Sequence, residues 1–190
     1  FEPSFLKIAP NNRMPAIIDP DGPDGRPISV FESGAILQYL GRKTGMFYPT
    51  EERARVAVDE WLFWQMGNLG PMAGQAHHFR NYTEKKLDYP IERYTNEVNR
   101  LYGVMDKQLA DHEFIAGEYS IADMACVGWV HNPERRGQDI NEFPNLKRWL
   151  EQLLARPAVE RGLKIGEEKR RSGPPDEEAR KILFGQRARR

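Results

Sequence analysis

"NNRMPAII", residues 11–18, decides how this chain is read. Pro15 stands directly against the apolar run Ala16–Ile18, and Met14 occupies the restricted position before it. Proline cannot donate to a sheet ladder, so it belongs on an edge, at a bulge or at a strand's first residue. The bond before it is also one that takes the cis form at ordinary cost. The stretch therefore predicts a strand beginning at Ala16. With Pro15 in cis, the backbone of Met14 turns outward at the mouth of that strand, where an extended peptide can pair with it.

Working outward, Ile28–Phe31 is a second short apolar run, joined to the first by the turn-forming "PDGPDGRP" at 20–27. Two strands so close form an antiparallel hairpin with a long connection. In "ESGAILQYLGRKTG", residues 32–45, Ile36, Leu37 and Leu40 share one helical face and Gly45 supplies a stop. From Thr50 the pattern is wholly helical. "TEERARVAVDEWLFWQMGNLGPMAGQAHHF" (50–79) reads as one long helix loosened near Gly67, Gly70 and Pro71. From Pro90 to Leu109, the residues Tyr94, Val98, Leu101, Met105 and Leu109 make one apolar stripe. "YSIADMACVGWV" (119–130) opens a further helix, and "FPNLKRWLEQLLARPAV" (143–159) another, with Leu146, Trp149, Leu150 and Leu153 facing in. The layout is a small α/β piece over 1–48, an all-helical domain over 49–164 and a polar tail over 165–190.

The 28 basic and 28 acidic residues cancel, which removes the electrostatic case for nucleic acid or an anionic membrane. No apolar stretch is long enough to be a transmembrane helix. A single cysteine, Cys126, rules out an internal disulfide and a thiolate metal cage, and fits a reducing, cytoplasmic compartment. It lies in an apolar helix and reads as a small buried hydrophobe. His77 and His78 are adjacent, so on a helix they point about 100° apart and do not chelate as an i, i+4 pair does. With Gln75 and Phe79, one of them lines an electrophile pocket or, as readily, a helix–helix contact. His112 and His131 lack ligating companions, and no metal site is expected. Ser120-Ile121-Ala122-Asp123 is a capping box in which Asp123 reaches back to the Ser120 N–H, with Tyr119 and Met124 at the staple positions.

Glu32-Ser33 falls where the second strand ends and the helix begins. The first N–H groups of a helix lack internal partners, and a serine beside them suits a carboxylate. The adjacent glutamate suits an ammonium, so together they fit an α-amino acid headgroup. On the dipeptide alone, Ser33 as a simple N-cap is the plainer reading. Met14-Pro15 adds the second half: a peptide cysteine on Met14 and an α-amino acid terminus on Glu32-Ser33 describe one ligand, γ-glutamyl-cysteinyl-glycine.

At this point the sequence resembles a known family. "MPAI", "FESGAILQYL", "YSIADMA" and "FPNLKRWLEQLLARPAV", in that order, look like a glutathione transferase over Phe1 to about Val159. "FLKIAPNNRMPAI", "WLFWQMGNLGPMAGQAHHF" and "IERYTNEVNRLYGVMDKQL" are similar to its nu-class branch, which includes glutathione-dependent disulfide-bond oxidoreductases and a regulatory group. The resemblance implies a thioredoxin-like N-terminal domain, an all-α C-terminal domain and a homodimer. It implies glutathione as co-substrate, bound by Met14, Pro15, Glu32 and Ser33, and a disulfide, peroxide or electrophile as the second partner. Because no protein cysteine is at the site, the disulfide reaction would run on bound glutathione thiols, two to a subunit. The alternative is an interaction module of the same fold without turnover. The family pattern also makes Arg100, in "RLY", a contact to glutathione in the neighbouring subunit; unaided, it reads as a solvated surface arginine, like Arg93 seven positions earlier. In the family a strand–helix–strand unit of roughly 30 or more residues precedes the hairpin and carries the threonine or asparagine that activates the sulfur. Catalytic groups are therefore expected upstream of Phe1, and the edge of Ala16–Ile18 is expected to be exposed.

Overall fold

A computed structural model describes residues 2–169 and 175–187; Phe1 and, within the tail, 170–174 and 188–190 lie outside the described residues. The chain divides into two compact units, Phe1–Gly70 with Gln108–Gly128, and Pro71–Lys107 with Trp129–Arg190.

The first unit opens with a short helix α1 (Pro3–Leu6) and the hairpin β1 (Ala16–Asp19) and β2 (Ile28–Phe31). The strands are antiparallel, in the register Ala16↔Phe31 to Asp19↔Ile28. The strand starts one residue after the proline, as a residue without an N–H requires. Among the described residues the sheet has two strands. Ile18 is 61% exposed, and Ser29 and Phe31 on the same face are exposed with it; Ile17 and Val30 occupy the more covered face. Helix α2 (Ser33–Thr44) follows at once and ends at Gly45, whose φ of 68° is the left-handed cap conformation that glycine adopts without penalty. The hairpin is fastened to α2 by Asp19, whose carboxylate accepts the Tyr39 hydroxyl at 2.6 Å and the Lys43 ammonium at 2.5 Å.

Helix α3 (Glu52–Trp64) is capped by the Glu51 carboxylate, which accepts from the N–H groups of Arg53 and Ala54. The helix expected over 50–79 is loosened near Gly67, Gly70 and Pro71, as read from the sequence, and once more beyond His77. A π-helical turn at Gln65–Leu69 leads into α4 (Gly70–His77), and a second follows at His78–Tyr82. Pro71 has no N–H for a normal i→i−4 bond, and a wider turn just before it accommodates that gap. The unit's core joins Tyr48, Val58, Leu62, Ile121 and Ala122, with Leu37, Trp61, Met66 and Met124 packed against them. Helix α6 (Ile121–Val130) begins in the same core. Asp123, fully buried, accepts from the N–H groups of Ser120 and Ile115, each at 3.0 Å. The Ser120 hydroxyl accepts from Ala122, the second helical residue, rather than from Asp123. Tyr119 packs edge-on against Phe47.

In the second unit, α5 (Asp88–Gln108) buries Val98, Leu101 and Met105 of the stripe seen in the sequence and Tyr102 beside them, while Tyr94 of that stripe is half-buried. Tyr102 donates its hydroxyl to the Trp129 carbonyl at 2.8 Å. Helix α7 (Pro144–Leu154) buries Leu146, Trp149, Leu150 and Leu153, as expected from their spacing. Its first N–H groups are satisfied from a distance: Asp106 on α5 accepts from Asn145 and Leu146. After α8 (Pro157–Lys164), the tail forms α9 (Glu177–Phe184), capped by Asp176. Arg180 of α9 donates to the Tyr82 carbonyl and pairs with Glu84, and Phe184 meets His78 edge-on at 4.6 Å.

Candidate functional site

The hairpin register determines what meets at its open end. Since Ala16 pairs with Phe31, the residues one step outward on each strand are Pro15 and Glu32. Met14-Pro15 and Glu32-Ser33 are thereby brought to the same end of one sheet. The Met14–Pro15 bond is cis, and Met14 is 87% exposed, outside the ladder.

Glu32 has φ 67° and ψ 121°, a conformation that L-residues rarely adopt and that costs on the order of 1–3 kcal/mol. The ladder ending at Phe31 on one side and α2 starting on the other impose it. The junction overturns the plainer reading of Ser33 as N-cap. Ser33 is not the N-cap; Glu32 is, because its carbonyl accepts the first intrahelical bond, from Ile36 at 2.9 Å. Ser33 is the first helical residue, and the Glu32 side chain makes no cap hydrogen bond to α2. The opening turn of α2 thus presents N–H groups that its N-cap side chain does not cover, next to an exposed carboxylate. That pairing of donors and negative charge accommodates a carboxylate and an ammonium at once.

Two residues that sequence reasoning did not single out join this group. The Asn11 amide donates to Glu32 Oε1 at 3.4 Å. The Ser33 hydroxyl lies 3.8 Å from Sδ of Met66, and Met66 lines a cavity of about 310 Å³ together with Glu32, Gly34, Ala35, Gln38, Leu62 and Phe63. Asn11 sits within the opening motif and was open to notice. Met66 lies 33 residues from Ser33, and no spacing rule connects them.

Arg100 belongs to the second unit, on α5. Its guanidinium forms a fork with Glu97, at 3.1 Å and 2.7 Å, and Arg93 approaches the same carboxylate at 3.7 Å. The Arg100 fork holds the Glu97 carboxyl below the usual range. His77 takes up the Asn81 amide and packs edge-on against Tyr82, and burial lowers the imidazole pKa of both His77 and His78. Burial, reinforced by Asp123, pushes the Cys126 thiol well above its ordinary value, so it is not a thiolate at neutral pH. Among the described residues, no three His, Cys, Asp or Glu side chains cluster as metal ligands, and no helix is long and apolar enough to cross a membrane.

A cis-proline hairpin feeding a helix, followed by a helical C-terminal portion, is the glutathione transferase fold. Residues 1–42 match the family profile for the glutathione S-transferase N-terminal domain, and residues 77–157 match the C-terminal domain. The chain is 48% identical to disulfide-bond oxidoreductase YfcG of Escherichia coli strain K12 over 174 residues, covering 89% of this chain and 81% of that protein. Among solved structures, it is similar to a glutathione transferase family member of Pseudomonas fluorescens with two glutathione bound. That match has a TM-score of 0.81 at 46% identity, over 86% of this chain and 76% of the other. A Pseudomonas putida glutathione transferase with one glutathione disulfide bound per subunit aligns with a TM-score of 0.82 at 43% identity, over 86% and 74%. This chain belongs to the glutathione S-transferase family.

Proposed function

We propose that this protein is a glutathione-dependent transferase and disulfide reductase of the nu-class type, working with the thiols of bound glutathione. The observation that carries the reading is the hairpin register, which sets Met14-Pro15 and Glu32-Ser33 side by side. Met14 offers backbone to the tripeptide's cysteine, Glu32 takes its ammonium, and Ser33 with the α2 N–H groups takes its α-carboxylate.

Cys126 is buried and its thiol pKa is raised, which takes it out of the redox chemistry; in the proposed scheme that chemistry runs on glutathione itself. One glutathione thiolate attacks a substrate disulfide, and the displaced thiolate takes up a proton. A second glutathione thiolate then attacks the resulting mixed disulfide at the first glutathione's sulfur, forming glutathione disulfide and releasing the second thiol. The two electrons come from the two glutathiones. Two relatives support the scheme, one holding two glutathione and the other a glutathione disulfide. The same thiolate serves for addition to an electrophile or reduction of a peroxide. A reducing cytoplasm, where glutathione is mostly thiol, suits this chemistry. A homodimer is part of the proposal: Val56 and Phe63, seven positions apart on α3, are apolar and exposed, as a helix face awaiting a partner is.

The test is reduction of a small disulfide, followed as formation of glutathione disulfide. The expected result is turnover that saturates in glutathione and survives Cys126→Ala. Glutathione binding with no rate above the buffer reaction would establish a binding module without turnover instead.

A further inference from the structure

Within the site just described, the Ser33 hydroxyl is already engaged, and its partner is unusual. Its Oγ lies 3.8 Å from Met66 Sδ, in the segment that follows α3. Met66 also fills the space that Gly34 leaves open, since a Cβ built at Gly34 would come within 3.1 Å of the Met66 methyl group. The thioether is therefore seated on the first turn of α2, with Leu62 and Phe63 beside it in the wall of the cavity below Glu32.

A thioether sulfur is a weak hydrogen-bond acceptor. It orients a hydroxyl without binding it strongly. A ligand carboxylate is a charged oxygen acceptor, and its bonds are roughly twice as strong as neutral ones. Exchanging the first partner for the second is favourable, whereas exchanging a neutral oxygen acceptor for it gains less. We infer that Met66 is a positioning residue of the ligand site: it keeps the Ser33 hydroxyl oriented but weakly bonded, ready to turn to the carboxylate of the γ-glutamyl group. The inference rests on the glutathione reading of the site.

The experiment is a double-mutant cycle on the full chain, with glutathione affinity measured by titration calorimetry and KM for glutathione measured in parallel. Met66→Gln supplies an amide oxygen, a strong acceptor, on a side chain of similar length. It is expected to raise Kd about three- to tenfold, the range set by one ordinary hydrogen bond, with the loss carried by KM rather than kcat. Met66→Leu, which has no acceptor to capture the hydroxyl, restores most of that loss. In a Ser33→Ala background, Met66→Gln adds nothing further. Weakening by the same factor with and without Ser33 would overturn the inference, because Met66 would then act through packing alone. Equal affinity in wild type and Met66→Gln would overturn it too and leave the glutathione site standing. A wild-type protein that fails to bind glutathione would overturn the functional reading and the inference with it.

Discussion

Glu32 and Cys126 mark two opposite uses of a reactive side chain. Glu32 is exposed and held in a strained conformation between a strand and a helix, and such strain persists only where the surroundings impose it. The sequence named Glu32-Ser33 correctly as the junction of strand and helix. It could not reveal the positive φ, which arises from the ladder and α2 meeting without a spacer, nor that Ser33 lies inside the helix. Cys126 was legible as a buried hydrophobe because its neighbours in "MACVGWV" are apolar. Its raised thiol pKa predicts slow alkylation by iodoacetamide in the native state at pH 8 and fast alkylation once denaturant is added. Native and denatured rates of similar size would show the thiol to be accessible and end its exclusion from the chemistry.

Among the elements, those built on local chemistry were the most readable. The hairpin, the Gly45 stop and the Ser120–Asp123 box each follow from residues adjacent in sequence. Asp123 satisfies two buried N–H groups and Ser120 one, so their losses differ in size. Ser120→Ala is expected to destabilise the fold by about 1 kcal/mol. Asp123→Ala costs more, since each orphaned buried donor is worth about 1–3 kcal/mol. Chemical denaturation distinguishes them; Asp123→Ala with unchanged stability but lost turnover would reassign Asp123 to catalysis. The link between hairpin and α2 was not readable, because Asp19 and Lys43 are 24 residues apart. The Lys43 and Tyr39 bonds lower the Asp19 pKa, so the clamp contributes fully at neutral pH and is lost as pH falls below the ordinary aspartate value near 4. The Tm of wild type should exceed that of Asp19→Asn at pH 7, and the gap should narrow as pH falls below about 4. A gap independent of pH would remove the clamp from the account. Asp106 capping α7 and the apolar end of α9 escaped notice for the same reason: their partners are distant in sequence.

At the scale of the whole molecule, the order of strands and helices was visible in hydrophobic periodicity, and Gly67, Gly70 and Pro71 marked the loosened stretch of the first π turn, while the turn at His78–Tyr82 keeps the helical pattern and changes only the bonding. Assembly adds Arg100. In the Arg100–Glu97 pair the guanidinium is on the solvent side and the carboxylate is more covered, and Arg93 stands at the same carboxylate, so Glu97 keeps a cation when Arg100 turns to a ligand. We propose that in the homodimer it serves the partner's glutathione. A heterodimer of one Arg100→Ala subunit and one Glu32→Ala subunit should then keep one intact site and lose the other; two equally weakened sites would place Arg100 in its own subunit's site. All of this depends on the claim that Glu32 holds the glutathione ammonium. Titration calorimetry with glutathione on wild type, Glu32→Ala and Cys126→Ala tests it most directly. A lost charge-assisted bond of about 1.5–3 kcal/mol lowers affinity about tenfold or more in Glu32→Ala, with Cys126→Ala close to wild type. Equal affinity in wild type and Glu32→Ala would contradict the account.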